Sequence, residues 1–231
     1  MELSVKDVSK LLNVPEKTVY RWIQADDLPA HRVEDQYFFN RTELLEWITG
    51  RSIEVPAALV RDAAEGAVDL PGLADALEAG GIHHGVPGAS REQVLRAVVD
   101  RLALPETVDR DFLFGVLLAR EQMGSTAVGD GIALPHVRNP IVLHVARPAI
   151  NLCLLERPVD FQALDGAPVR ALFTVISPTH SGHLHLLSRI AFALRDPGFK
   201  AAVQAQLPPA DLVAHARRID ELIAQRKVKR P

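Results

Sequence analysis

Cysteine is nearly absent from this chain. Cys153 stands alone, which excludes an intramolecular disulfide framework and a thiolate metal cage. A single thiol fits a reducing compartment. Aromatic residues make up only 5%, too few for a base-stacking surface. No apolar run reaches the roughly 18 residues that a membrane-spanning helix needs, so no membrane partner is expected. A positive excess is missing too. The formal net charge is −3, so the chain as a whole has no pull toward a polyanion. The opening MELSVKDVSKLL is charged throughout and does not match a signal peptide; a cytoplasmic location is the expectation. What is present is ordinary in bulk. The 231 residues are 48% hydrophobic and 24% charged, which suits one large or two smaller globular domains and excludes a disordered polymer. Nine histidines are the one excess.

Residues 1–50 read as a unit of their own. Ser4 is placed to cap a helix on which Val5, Val8, Leu11 and Leu12 recur at helical spacing. Asn13-Val14-Pro15 predicts a short turn, with Pro15 at the start of a second helix carrying Val19, Trp22 and Ile23 on one face. Leu28-Pro29 ends that helix. An extended stretch, residues 30–39, follows with a polar tip at Glu34-Asp35-Gln36. Asn40 or Thr42 then caps a third helix through Leu44, Leu45, Trp47 and Ile48, closed by Gly50.

Residues 51–67 are alanine-rich and free of aromatics, which reads as a linker. A second domain is expected over residues 68–225. Leu73, Ala76 and Leu77 share a helical face that exits at Ile82, with His83-His84 in a turn. Ser90 caps a helix through Val94, Leu95, Ala97, Val98 and Leu102, and another runs from Val108 to about Gln122. Residues 149–155 and 169–176 read as buried strands, with Asp165-Gly166 as a turn between them. A helix from near Ser181 passes Leu186, Ile190 and Leu194 and breaks at Pro197-Gly198. Two short helical segments finish the chain, followed by a basic tail, residues 226–231, read as a solvated end. Helices alternating with short buried strands predict a layered α/β domain.

Helix, tight turn, helix and ribbon is the layout of a winged helix-turn-helix. The Val14-Pro15 turn, the run Thr18-Val19-Tyr20-Arg21-Trp22, Leu28-Pro29-Ala30 and Glu46-Trp47-Ile48 resemble the excisionase branch of the MerR-like winged-helix superfamily. That resemblance implies a second helix entering the major groove of duplex DNA, with Glu16, Lys17, Thr18, Arg21 and Gln24 as its exposed residues. The charge argues the other way. Residues 1–51 carry seven basic and nine acidic side chains, and the wing tip holds Glu34 and Asp35 where the family has glycine and arginine. An acidic tip weakens binding to phosphates. Two readings stand, a DNA-binding module and a protein-contact module on the same fold.

The segment LLAREQMGSTAVGDGIALPHVRNP, residues 117–140, is the most informative. Gly124, Gly129 and Gly131 bracket Ser125 and Thr126, a loop able to bring backbone N–H groups near an anion. An apolar stretch then delivers His136, and a neutral imidazole is nucleophilic near neutral pH. Arg120 offers a planar fork to phosphoryl oxygens. Phosphoryl transfer asks chiefly for positioning and charge stabilisation. In isolation His136 would read as a structural histidine; the loop, Arg120 and His183 together argue for an acceptor. His180, His183 and His185 raise the question of a metal. His183 and His185 fall on different sides of a helix, and no carboxylate or cysteine cluster joins them, so neither metal nor other cofactor is expected. No hydrolase elbow surrounds Ser125.

The same segment resembles the phosphoryl-accepting motif of phosphotransferase-system EIIA domains of the fructose/mannitol type, with the nitrogen-regulatory EIIA proteins nearest. The resemblance runs from near Val68 to near Gln225. It takes in the helix after Ser90, the Leu164-Asp165-Gly166 turn with Pro168-Val169, and Gly182-His183-Leu184-His185-Leu186-Leu187. It implies a central mixed sheet flanked by helices. It also implies His136 as the phosphorylated residue, Arg120 as the site arginine, His183 as a second histidine that stabilises the phosphoryl group, and Ser125 and Thr126 lining the pocket. The donor would be a histidine phosphocarrier protein of the HPr or NPr kind, the recipient an EIIB or a regulatory protein. Val137 stands where the family has glycine, and Arg138-Asn139-Pro140 replaces an acidic stretch; both bear on which donor docks. The expected function is a phosphocarrier with regulatory output. The alternatives are a DNA-binding regulator whose EIIA-like domain senses phosphorylation state, and a scaffold that is not phosphorylated.

Overall fold

The computed structural model describes residues 3–25, 27–33, 36–51, 70–136 and 145–228. The expected linker beyond Arg51, the wing-tip pair Glu34 and Asp35, Val137 with Arg138-Asn139-Pro140, and the last three residues of the basic tail lie outside the described residues.

In the N-terminal part, β1 (Leu3–Ser4) leads into α1 (Val5–Leu12). Ser4 and Asp7 form a capping box: Ser4 Oγ accepts from Asp7 N–H at 3.3 Å, and the Asp7 carboxylate accepts from Ser4 N–H at 3.0 Å. The capping box thereby satisfies two of the first-turn donors, and the Ser4 hydroxyl, which donates to the Asp7 carboxylate at 2.6 Å, together with Ser4 N–H holds the Asp7 carboxyl below its ordinary value. Asn13 adopts left-handed backbone, φ 53°, which ends α1 and sets the turn into α2 (Glu16–Gln24). Pro15 stands at the N-cap of α2. β2 (His31–Val33) and β3 (Gln36–Phe39) make the ribbon, and β1 pairs with the other edge of β3, all antiparallel. Two residues carry no periodicity, so β1 is invisible to sequence reading. In α3 (Arg41–Gly50) the Leu44 N–H donates to the Asn40 carbonyl at 3.0 Å, so Asn40 and not Thr42 stands at the cap. Val8, Val19 and Ile48 are completely buried between these elements, each worth about 1.5–3 kcal/mol.

The second part runs α4 (Leu73–Gly80), β4 (Ile82–Val86), α5 (Arg91–Arg101), α6 (Arg110–Gln122), β5 (Ala127–Gly129), β6 (Ile132–Ala133), β7 (Ala149–Val159), β8 (Val169–Ile176), α7 (His180–Ala193), α8 (Pro197–Gln204) and α9 (Pro209–Val228). Its strands form one mixed sheet in the order β4-β7-β8-β6-β5. β4 runs parallel to β7 and β6 parallel to β8, while β7–β8 and β5–β6 are antiparallel. Ile150, Leu152 and Leu154 of β7, with Ala171, Phe173 and Val175 of β8, face a core built with α4, α7, α8 and α9. Cys153, Leu155, Leu172 and Ile176 face the opposite core, built with α5 and α6. Covering both faces explains why these strands read as continuous apolar runs. Burial pushes the Cys153 thiol up to about 12. The first core also takes in Val8, Val19, Phe39, Leu44, Leu45 and Ile48, because α3 lies against α7 and β5. The N-terminal unit and the sheet domain thus share one hydrophobic interior.

Three expectations are corrected. Residues 82–86, read as a helix exit and a turn, form the edge strand β4, with His83 opposite Cys153; two histidines and a glycine hide any alternation. The helix begun near Ser181 does break, but at Ala193, short of Pro197-Gly198; Pro197 opens the next helix, α8, which Asp196 caps by accepting from Phe199 N–H at 2.8 Å. The chain ends in a helix of 20 residues, not in a short segment. No helix among the described residues is long and apolar enough to cross a membrane.

Candidate functional site

The loop between α6 and β5 is built on two side chains from the last turn of α6. Arg120 Nη1 donates to the Gly124 carbonyl at 2.9 Å, which holds the guanidinium on the loop. Glu121, 3% exposed, lies inside it. The Thr126 hydroxyl donates to Glu121 Oε2 at 2.5 Å, and Thr126 N–H is shared between the two carboxylate oxygens at 3.1 and 3.3 Å. Burial pushes the Glu121 carboxyl above its ordinary value, while the Thr126 bonds and Arg120 pull it back. Ser125 Oγ accepts from Ala127 N–H at 3.1 Å. Sequence reading passes over Glu121, because an acidic residue at a helix end reads as a solvated charge.

The β5–β6 hairpin turns through Gly129, Asp130 and Gly131, at φ 91°, 54° and 76°. This left-handed run favours glycine. Beyond β6, Leu134 N–H donates to the Thr126 carbonyl at 2.9 Å, extending the hairpin by one rung. His136 follows, with Nδ1 2.8 Å from the Leu134 carbonyl. A carbonyl only accepts, so Nδ1 carries the proton. In the neutral ring the lone pair then sits on Nε2.

His183 enters from the first turn of α7, which Thr179 caps by accepting from Gly182 N–H at 3.1 Å. The His136 and His183 rings stand 5.7 Å apart at 48°, and each is 1% exposed. Neither His183 nitrogen has a hydrogen-bond partner among the described residues. Burial, then His136 and His180, pulls the His183 imidazole down to about 3, so it is neutral at physiological pH. A cavity of about 10 Å³ beside His136 is lined by residues including Leu113, Leu117 and Thr174, room for about one water. His185 turns away, with Nε2 3.0 Å from the Pro71 carbonyl. Among the described residues no three His, Cys, Asp or Glu side chains gather as metal ligands. The two histidines therefore meet directly, and Arg120, Ser125 and Thr126 share the loop that precedes them. On α2, Glu16, Lys17, Arg21 and Gln24 are exposed and Thr18 is half-buried.

Residues 76–216 match the family described as phosphoenolpyruvate-dependent sugar phosphotransferase system, EIIA 2. The chain belongs to this EIIA family. Residues 2–52 match a helix-turn-helix domain. The nitrogen regulatory protein of Pseudomonas aeruginosa is 45% identical over 114 residues, 47% of this chain and 71% of that protein. Its Bradyrhizobium diazoefficiens counterpart is 36% identical over 118 residues, 50% of this chain and 75% of that protein. Among solved structures, nitrogen regulatory protein IIA-Ntr from Neisseria meningitidis superposes with a TM-score of 0.51 at 23% identity, covering 58% of this chain and 91% of that one. IIA mannitol from Escherichia coli gives 0.50 at 18%, covering 60% and 96%. At these identities the two structures show the fold alone, a mixed sheet with flanking helices common to the EIIA family.

Proposed function

We propose that this chain is a phosphocarrier that accepts a phosphoryl group on His136 Nε2 from a histidine phosphocarrier protein of the HPr or NPr kind. The observation that carries the reading is the bond from His136 Nδ1 to the Leu134 carbonyl, which assigns the nucleophilic lone pair to Nε2. In the step, Nε2 forms a bond to the donor's phosphorus as the donor's P–N bond breaks, and the donor imidazole leaves with that electron pair. The Leu134 carbonyl keeps the proton on Nδ1 and stabilises the positive charge that develops on the ring. Neutral His183 donates an N–H to a phosphoryl oxygen. Its two partnerless buried nitrogens support this role, because a buried polar group is ordinarily satisfied. Arg120 supplies positive charge beside the loop. His136 is buried, so the donor's approach must uncover its ring before the reacting atoms reach about 3–3.5 Å.

The fused helix-turn-helix domain favours a regulatory output, and the relatives named as nitrogen regulatory proteins point the same way. The phosphoryl group would pass to an EIIB or to a regulatory protein, in the cytoplasm, with residues 1–50 as the output module and 68–225 as the carrier. The reading is tested by incubation with phosphoenolpyruvate, enzyme I and either phosphocarrier, followed by intact-mass spectrometry. One acid-labile phosphoryl group per chain is expected; no uptake from either donor refutes it. In the same assay Arg120→Lys keeps a charge but loses the planar fork. Transfer is expected to slow by about tenfold, equivalent to about 1.4 kcal/mol. An unchanged rate in the folded variant would leave Arg120 as a loop clamp only.

The second reading, a DNA-binding regulator, has one observation in its favour: Lys17, Arg21 and Gln24 stand exposed on the second helix of the helix-turn-helix. With so few cations, duplex binding is expected to be weak and shallow in salt, since log affinity falls with a slope of about −0.9 per phosphate neutralised. Replacing Glu34 with Gly and Asp35 with Arg is expected to strengthen it, read by anisotropy at low salt. If neither protein binds, the unit is a protein-contact module.

A further inference from the structure

We propose that Glu121 is a positioning residue for the acceptor: its buried carboxylate, acting through Thr126 and Leu134, fixes the His136 ring in its Nδ1–H tautomer. This rests on the reading of His136 as the acceptor. The path is continuous. Glu121 takes both the N–H and the hydroxyl of Thr126. The Thr126 carbonyl takes Leu134 N–H at 2.9 Å. The Leu134 carbonyl takes His136 Nδ1–H at 2.8 Å. Each link sets the direction of the next, so the position of one carboxylate is transmitted to the ring that must present Nε2.

Physical chemistry gives reasons to regard this carboxylate as more than filler. A buried carboxylate carries a desolvation penalty of several kcal/mol unless hydrogen bonds offset it. Here the donors among the described residues come from Thr126, and they are charge-assisted, about twice as strong as neutral bonds. The hairpin they brace is short. β5 and β6 pair only Ala127 with Ala133 and Gly129 with Ile132. The Thr126–Leu134 rung is thus the last one before the histidine, and Glu121 is what anchors its Thr126 side. Without the anchor that rung frays, the Leu134 carbonyl turns, and the proton on Nδ1 loses its acceptor. A ring with its proton on Nε2 has no lone pair there to attack phosphorus.

The test needs no phosphorylation for its first readout. Long-range nitrogen NMR of the full chain reports the tautomer of each ring, and a His136→Gln spectrum identifies the signals of His136. Wild type is expected to show Nδ1–H. Glu121→Leu is expected to shift His136 toward a mixture of tautomers and to slow transfer by about tenfold or more, as misplaced reacting groups do. Glu121→Gln keeps an oxygen for Thr126 N–H and is expected to restore the tautomer and most of the rate. Thr126→Val keeps the shape but removes the 2.5 Å bond, and is expected to shift the tautomer the same way by less; it carries the test should Glu121→Leu not fold. A wild-type tautomer in folded Glu121→Leu or Thr126→Val, or a slowed Glu121→Leu that Gln does not rescue, overturns the proposal. Absence of phosphoryl uptake by wild type refutes the acceptor reading instead, and leaves the tautomer result to be judged by itself.

Discussion

His136→Ala is expected to take up no phosphoryl group under conditions that label the wild type fully. The variant removes the ring whose Nε2 lone pair the Leu134 carbonyl defines. It also removes a buried ring with its hydrogen bond to Leu134, a cost of about 2–4 kcal/mol, so circular dichroism of the variant accompanies the labelling. The neighbouring His183 is the only other imidazole in contact with that ring among the described residues. It is expected to assist without carrying the group, so His183→Ala should still be labelled, at a rate lower by about tenfold or more. Peptide mapping distinguishes the two sites, and labelling of His183 in the His136→Ala protein would overturn the assignment. The pH dependence follows from the same pair. His183 stays neutral down to about 3 against an ordinary 6.5. Between those values the unfolded chain binds a proton that the folded ring refuses, so stability falls as pH drops through that window and is complete above it. Titration of His183 therefore contributes nothing to the transfer rate between about pH 7 and 8.

Gly80→Ala is expected to be the most damaging single methyl in the fold. Gly80 ends α4 where the helix backbone meets the interior strand β7. An added Cβ would lie 2.8 Å from Asn151 N and closer still to the Ile150 carbonyl. Both obstacles are backbone of a strand paired on each side, with β4 and with β8, so neither can step aside. The Gly80 carbonyl also accepts from Asn151 Nδ2 at 3.1 Å, and a shift of α4 would break that bond. Overpacking of this kind costs about 3 kcal/mol, or about 6–12 °C in melting temperature for a chain of this length. Gly115, on the exposed side of α6 with nothing within 4 Å of the same methyl, is the control. Gly115→Ala is expected to raise stability by up to about 1 kcal/mol through helix propensity. Equal thermal melts for the two variants would show that α4 and β7 are not packed as described.

What sequence alone could read depended on how far each element's signal extends along the chain. The buried strands at 149–155 and 169–176 announce themselves because both faces of the sheet are covered, leaving long apolar runs. The Ser4 and Ser90 caps are local chemistry and appear where expected. β5 and β6 do not, since three and two residues give no alternation to count. The length of α9 is obscured by Asp220. This charge on the helix reads as solvent-facing, yet it accepts from Leu73 N–H at 2.9 Å and Ala74 N–H at 3.0 Å and so caps α4 from a distance in sequence. The site divides along the same line. Motif spacing picks out His136, His183 and Arg120. The hydrogen bonds that Thr126 donates to Glu121, and the Nδ1 bond that selects the His136 tautomer, come from folding and leave no trace in spacing.

The seating of α3 on the sheet domain makes α7 a shared part. Its first turn holds His183, while Ala191 and Leu194, at and just past its other end, line a small cavity together with Thr49 of α3 and Val128 of β5. Leu194 lies eleven positions after His183, a rod of about 16 Å. Cutting the chain between its two units would bare Leu44, Leu45 and Ile48 on one piece and the matching apolar wall on the other. The chain should therefore melt in one cooperative step, with the helix-turn-helix deriving part of its own stability from the domain it is fused to. A substitution that loosens either end of α7 is therefore expected to lower the one shared melting temperature.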